Sequence, residues 1–380
     1  MVTAVQPLVL RRAPSVRHLG PNWYAAVMGT TIVATAGAGL PQHVPGLRTA
    51  CTVVWALGLA ALVVLFGARA AHWTHHRDQA RAHLLDPMVA PVYGCLAMAM
   101  LAVGAASLAV GQDWIGLHAA IVLDSVLFTA GTLTGLASAL VVPYLMVVRH
   151  RIEPGQASPV WLLAIVPPMV SAACGPALVP HLPHGQLQQT LLVACFAMYG
   201  ISLLMTLTML PTIFARLVTG GPLPLAMTPS LLLVLGPLGQ SVTATGAIAD
   251  AAHGVLRTPY ASGLSDFAVL YGVPVIGFAL VWFGFALAQV GRALRGGMRF
   301  SMGWWAFTFP VGTCTTGAES LARHTGLDVF QWLAVVLYVF LVVAVITAAV
   351  GTLRGLFNGS VLAAPRPAAA APQPVTAHTT

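Results

Sequence analysis

The densest group of side chains that could do chemistry is a histidine cluster in the segment HWTHHRDQARAH, residues 72–83. On a helix, His72, His75 and His76 stand at i, i+3 and i+4, so the three imidazoles would share one face. Such a face could hold Zn²⁺, as in a metal-dependent enzyme. Because no acidic residue or cysteine completes the group at metal-site spacing, we favour a polar linker without a metal and keep the membrane-embedded enzyme as the alternative.

Three acidic residues, Asp124, Asp250 and Glu319, lie inside or at the end of apolar segments. Ionisable side chains are costly in hydrocarbon and are therefore functional candidates by default. Asp124 is about 13 Å inside its segment at 1.5 Å per residue and has no partner on its own helix, so it is our candidate for proton coupling. Glu319 precedes Arg323 by four residues, the spacing of a helical ion pair, and the two are expected to pair at the outer end.

The composition indicates a membrane protein. Of 380 residues, 58% are hydrophobic and 7% are charged, whereas a soluble domain has roughly 25% charged residues. All 17 basic residues are arginines, and they are scattered between apolar runs, which argues against nucleic-acid binding despite a net charge of +8. The motifs GxxxxGK[ST], HExxH, GxSxG and GxGxxG are absent, and we predict neither a cofactor nor a metal.

Ten segments are apolar over the roughly 20 residues that a membrane-spanning helix needs. They predict an all-α membrane domain over residues 21–354, between an N-terminal cytoplasmic segment, 1–20, and an Ala/Pro-rich tail, 355–380, with the composition of a disordered region. The ten predicted spans are 22–41, 50–70, 89–110, 116–147, 159–180, 187–214, 228–250, 267–290, 303–322 and 329–353.

The arginines predict the orientation, because cytoplasmic loops carry the excess of positive charge. With the N-terminus inside, 14 of the 17 arginines fall on the cytoplasmic side, and an even number of spans places both termini there. We expect a multi-pass protein, and the location that we expect for it is the plasma membrane. A basic cytoplasmic vestibule would also concentrate anions at that face.

Helix-breaking prolines recur in the odd-numbered spans, whereas most even-numbered spans lack them or carry them near the cytoplasmic end. A proline frees a backbone carbonyl that needs a neighbour or water, which favours a position around a wet centre. The alternative is the general frequency of proline in membrane helices. The alternation predicts five helical hairpins with kinked odd helices inside. An anion there would be stabilised by backbone N–H groups and by hydroxyls such as those of Thr30, Thr31, Thr313, Thr315 and Thr316.

Four motifs carry a family resemblance: PNWYAAVMGTTIVA (21–34), WLLAIVPPMVSAACG (161–175), LGPLGQS (235–241) and WWAFTFPVGT (304–313). They resemble the tellurite-resistance/dicarboxylate transporter family, which includes plant slow anion channels, fungal malate permeases and sulfite exporters. The resemblance implies ten helices as five hairpins around a central pore, and a homotrimer in the lipid bilayer.

The same resemblance implies that Phe309, in the Phe-Pro step of the ninth span, closes the pore. Thr31 departs from the usual Met-Gly-Thr-Gly pattern and would add a side chain near the pore. The expected substrates are small anions, first C4-dicarboxylates such as malate. The alternative is efflux or channel passage of an inorganic anion such as sulfite, tellurite, chloride or nitrate. The other candidate pore-lining or kink residues are Gly29, Thr30, Pro91, Pro167, Pro168, Gly236, Pro237, Gly239, Gln240, Pro310, Gly312 and Thr313.

Overall fold

The computed structural model describes residues 16–42, 44–153, 155–359 and 361, and the regular structure of these residues is entirely helical. Arg11, Arg12 and most of the predicted tail, 362–380, lie outside the described residues. The α-helices in chain order are α1 (Tyr24–Gly39), α2 (Leu47–His75), α3 (Arg77–Leu85), α4 (Gly94–Ala106), α5 (Gln112–Ile115), α6 (Leu117–Val148), α7 (Leu162–Ile165), α8 (Pro167–Cys174), α9 (Gln186–Gly220), α10 (Leu235–Ala252), α11 (Thr258–Arg295), α12 (Phe309–Thr325) and α13 (Asp328–Phe357).

Seven helical stretches of the described chain are long and apolar enough to cross a membrane. An eighth candidate is the pair Pro159–Ile165 and Pro167–His181, which is bent by 50°. Proline causes such a bend, because it has no N–H to donate and its ring clashes with the preceding turn. The predicted all-helical, multi-pass membrane protein is thus confirmed. The seven stretches are Leu47–His75, Ala90–Ile115, Leu117–Val148, Gln186–Gly220, Leu225–Ala252, Thr258–Arg295 and Asp328–Phe357.

The predicted first and ninth spans fall on α1 and α12, which have 16 and 17 residues. At a rise of 1.5 Å per residue they are about 24–26 Å long, less than the roughly 30 Å of the hydrocarbon core. Short 3₁₀ turns, Pro21–Trp23 and Met302–Phe307, precede them. Length and composition therefore give seven or eight spans where the sequence predicted ten.

The helices fall into two groups by burial. In Ala90–Ile115 and Leu225–Ala252, 83% of the most apolar stretch is buried, whereas in α2, α6, α9, α11 and α13 the share is 28–33%. Residues 309–322 of α12 are likewise buried with the exception of Thr316. We call α1, α4, α7 with α8, α10 and α12 the inner segments, and α2, α6, α9, α11 and α13 the outer helices. Large apolar side chains of the outer helices face outward, where only a lipid environment would accept them.

The packing follows a regular order. Each inner segment packs on the next outer helix along the chain: α1 on α2, α4 on α6, α8 on α9, α10 on α11 and α12 on α13. The inner segments also contact one another in the closed order α1, α4, α8, α10, α12 and back to α1. The most extensive of these contacts joins α10 and α12, so the segment that carries Phe309 is held mainly by α10.

Candidate functional site

Phe309 begins α12, and its side chain is 3% exposed. The backbone breaks just before it, because Thr308 (φ −97°, ψ −81°) departs from helical geometry between the 3₁₀ turn and α12. Pro310 then occupies the first turn, where its missing N–H costs no helical hydrogen bond. The preceding turn is anchored to α13, since the Trp305 indole N–H donates to the Thr352 hydroxyl over 3.0 Å.

A small apolar cavity lies against the Phe309 ring, and every inner segment contributes to its wall. It encloses about 10 Å³, close to the roughly 10–15 Å³ that one water molecule requires. A hydrated anion cannot occupy it, so the interior is closed at this level. Besides Phe309 and Pro310, the cavity is lined by Met28, Met98, Leu162, Leu163, Val166, Leu233 and Gly236.

A larger cavity of about 130 Å³ lies at the N-terminal ends of the inner segments. Its wall includes polar groups of Asn22 and Ser230 as well as apolar side chains. Met28, Leu163 and Leu233 line both cavities. The two spaces are therefore consecutive, with the wider one leading to the constriction at Phe309.

The threonines of α12 have different roles. The hydroxyl of Thr313 donates to the Pro310 carbonyl over 2.7 Å, and that of Thr315 donates to the Val311 carbonyl over 3.1 Å; both side chains are fully buried. Thr316 is only half-buried, and its hydroxyl oxygen lies 2.7 Å from that of Thr243 on α10. Beyond Phe309, the half-buried hydroxyls of Thr243 and Thr316 thus bond to each other and to backbone carbonyls of α10 and α12, whereas Thr313 and Thr315 are fully buried.

Thr31 does not narrow the interior as its departure from the family pattern suggested. Its side chain is fully buried against Gly58 of α2, and its hydroxyl donates to the Val27 carbonyl over 2.8 Å. It therefore faces an outer helix. The neighbouring Thr30 is half-buried, and Gln240 of α10 is buried.

Two glycines of α10 have contrasting surroundings. A Cβ on Gly236, which lines the small cavity, would meet no atom within 4 Å. A Cβ on Gly239 would overlap the backbone of Thr313 and Cys314 on α12. Gly312 is equally confined, since its Cβ would lie 2.7 Å from Ile32 of α1. Glycine thus lets α12 approach both neighbouring segments, and Gly236 alone of these three borders open space.

The predicted prolines lie at the ends or bends of the inner segments. Pro91 is buried in the turn before α4, Pro167 and Pro168 open α8 at the 50° bend, and Pro237 lies in the first turn of α10. The apolar partners of Phe309, such as Met28 and Met98, carried no sequence signal, because apolar residues fill every span.

Comparison with known proteins assigns the family. The sequence model of the voltage-dependent anion channel family matches residues 18–353. The chain belongs to this family. The sulfite efflux pump SSU1 of Trichophyton rubrum is 26% identical over 327 residues, covering 83% of this chain and 85% of the relative. The SSU1 pump of Arthroderma benhamiae is 25% identical over 327 residues, with the same coverage. An uncharacterized transporter of Methanocaldococcus jannaschii is 24% identical over 328 residues, covering 85% of this chain and 89% of the relative.

The family assignment confirms the resemblance found in the four motifs. As a voltage-dependent anion channel family member, the protein is an anion transporter or channel, and the enzyme alternative is wrong. α2 ends at His75, whose Nδ1 donates to the Ala71 carbonyl over 2.9 Å, and the buried His72 stacks on His83. Within the described ranges, no group of three His, Cys, Asp or Glu side chains could hold a metal ion.

The C-terminal end of α12 in this anion channel family member carries an ion-pair group different from the predicted one. Arg323 lies 3.7 Å from the Asp250 carboxylate, and the His324 Nε2 lies 3.3 Å from it. Among the described residues Glu319 forms no ion pair, so the predicted Glu319–Arg323 pair is absent. The physical reason is exposure: Arg323 and Asp250 meet where both reach water, whereas Glu319 is buried.

Asp124 is a residue of α6, and its side chain packs against α4. Its carboxylate is 1% exposed and is so close to Gly104 that a Cβ there would lie 2.5 Å from Oδ1. Neither carboxylate oxygen has a hydrogen-bond partner among the described residues. An unpaired buried carboxylate is costly when ionised, so this position suits a group that binds a proton.

Proposed function

We propose that the protein exports a small inorganic oxyanion, with sulfite as the first candidate, through a central path closed by Phe309. The apolar constriction built by all five inner segments around Phe309 is the observation that carries the proposal. The relatives named as sulfite efflux pumps, which align over 83% of the chain, favour sulfite over the C4-dicarboxylates that the motifs placed first. Sulfite is also much smaller than malate and needs a smaller displacement of the Phe309 ring.

The small number of positive charges along the proposed path favours the passage of an anion and disfavours its tight binding. The inner segments contain one arginine, Arg323, and it lies at the outer end of α12. The anion would be held by the hydroxyls of Thr243 and Thr316 and by backbone groups of the interrupted helices. Conduction requires such weak, distributed sites, because a strongly bound ion would not leave.

The proposal includes ten spans arranged as five hairpins around the path. The closed packing order of the inner segments supports it, as do the 3₁₀ turns that lengthen α1 and α12. Two ion pairs are consistent with the cytoplasmic location of both termini. Arg17 pairs with Asp78 and Arg48 pairs with Asp113, each at 2.7 Å. The predicted topology places the two residues of the first pair on the cytoplasmic side and the two residues of the second pair on the opposite side. The plasma-membrane location and homotrimer are expectations from the family.

We further propose Asp124 as the residue that couples anion movement to protons. Replacing it by asparagine keeps the shape and removes the ionisable group. Asp124→Asn should abolish the dependence of uptake on a pH gradient while leaving passive flux intact. A variant that still accumulates anion in response to a pH gradient would refute this role.

Flux measurements on purified protein in liposomes test the function. Sulfite, malate, chloride and nitrate should be compared with and without a pH gradient, with protein-free liposomes as the control. We expect sulfite flux to exceed malate flux. Malate transport with no sulfite flux would overturn the proposed substrate, and absence of all anion flux would overturn the proposed path.

A further inference from the structure

Glu319 is a second buried carboxyl group, and it lies on the helix that carries Phe309. It is ten residues beyond Phe309 on α12, and its side chain is 4% exposed. One oxygen, Oε2, lies directly against Gly39, the last residue of α1, where the site of a Cβ would overlap it. The other, Oε1, has no hydrogen-bond partner in the described part of the chain.

Among the described residues, Arg323 is the cation on α12 near Glu319, but it forms no ion pair with Glu319. On α12 itself Arg323 and His324 are directed to Asp250, the acidic group of the neighbouring α10. From α2 and α13, Cys51 and Tyr338 are the titratable side chains nearest to Glu319. The Tyr338 hydroxyl donates to the Val33 carbonyl over 3.4 Å. The surroundings of Glu319 are thus acidic or neutral, apart from Arg323, which pairs elsewhere.

The end of α1 makes an ionised Glu319 still less favourable. The last carbonyls of a helix have no intrahelical donor, and they carry a partial negative charge. A carboxylate against Gly39 would be repelled by them, whereas a protonated carboxyl group could donate to them. The closed packing of α1 against α12 therefore accommodates the protonated form.

We propose that Glu319 binds a proton and must be protonated for an anion to pass the outer half of the path. This inference rests on the proposed anion path. An anion at the half-buried Thr316 is one helical turn from Glu319 along α12, within about 10 Å. At that distance a second negative charge raises the electrostatic barrier enough to slow passage by about tenfold or more at the dielectric of a protein interior.

The test is anion flux at equal pH on both sides of the liposome membrane, measured over a series of pH values. Chloride and nitrate are the probes, because their charge does not change with pH. Wild-type flux should fall by about tenfold as the pH rises and Glu319 loses its proton. Glu319→Gln should remain at the high level throughout, and Glu319→Asp, which keeps an ionisable group, should retain a pH dependence.

Asp266→Asn is the control, since it removes a carboxyl group from the exposed side of an outer helix, α11. It should keep the wild-type profile at equal pH. A wild-type profile in Glu319→Gln, or a wild-type flux that does not change with pH, overturns the inference. If Glu319→Gln does not fold, loss of the pH dependence in Glu319→Asp overturns it. Absence of flux from every variant, Phe309→Ala included, instead overturns the anion path itself.

Discussion

The inner segments and the outer helices differ in the relation between burial and apolar character, and this relation is the reverse of that in a soluble protein. The most apolar helix of the chain, α13, is among the least buried, whereas the deeply buried Leu225–Ala252 is the least apolar of the seven candidate spans. In water the hydrophobic effect would bury α13 first. In a membrane the lipid accepts it, and the interior is left for helices rich in glycine, threonine and proline. Hydropathy alone does not separate the two groups, because the buried Ala90–Ile115 and the exposed Leu117–Val148 have nearly equal mean hydropathy, 1.9 and 1.8.

The same difference explains the length of α1 and α12. They are surrounded by protein, so they need neither the length nor the apolar composition that lipid contact imposes on α2 or α13. Breaks in their hydrogen bonding, such as the one at Thr308, are tolerated because neighbouring groups satisfy the backbone. Phe309 directly follows the break at Thr308, and its side chain lines the small cavity.

Removing the Phe309 ring is the change with the largest expected effect. Phe309→Ala opens the apolar constriction, and we expect anion flux in liposomes to rise by about tenfold or more, because a hydrophobic gate excludes water as well as ions. Phe307→Ala is the matched control: Phe307 is buried two residues earlier, and its ring contacts that of Trp304 at a tilt of 56° instead of lining the small cavity. Equal flux in wild type and Phe309→Ala, from a competent wild type, would exclude the gate.

Substitutions at Gly239 and Gly236 of α10 distinguish a position that packs against α12 from a position that borders the proposed path. Gly239→Ala places a methyl group into the α12 backbone and should lower the free energy of unfolding by about 1–3 kcal/mol, seen as a lower thermal transition in detergent. Gly236→Ala places the same group into open space at the constriction. It should leave the transition near its wild-type value and reduce flux instead. Identical behaviour of the two variants would contradict the assignment of Gly236 to the path.

Much of this arrangement could be predicted from the sequence, because prolines and apolar runs are local signals. The division between inner and outer helices followed from the prolines, and Phe309 from the family motif. The partner of Arg323 could not be predicted: the i, i+4 spacing favoured Glu319, whereas Asp250 comes from another helix. The direction of Thr31 depends on the rotation of α1 against α2, which no local pattern specifies.

The smallest effect is expected on the lipid-facing side of the outer helices. Leu270 of α11 is 76% exposed. Since its side chain contacts lipid in both the closed and the open path, Leu270→Ala should change the free energy of unfolding by about 0.5 kcal/mol or less and leave flux unchanged. The thermal transition and liposome flux measured beside Phe309→Ala provide the check. A large change in either quantity would mean that this face of α11 packs against protein, such as another subunit, and that the outer helices are not uniformly exposed to lipid.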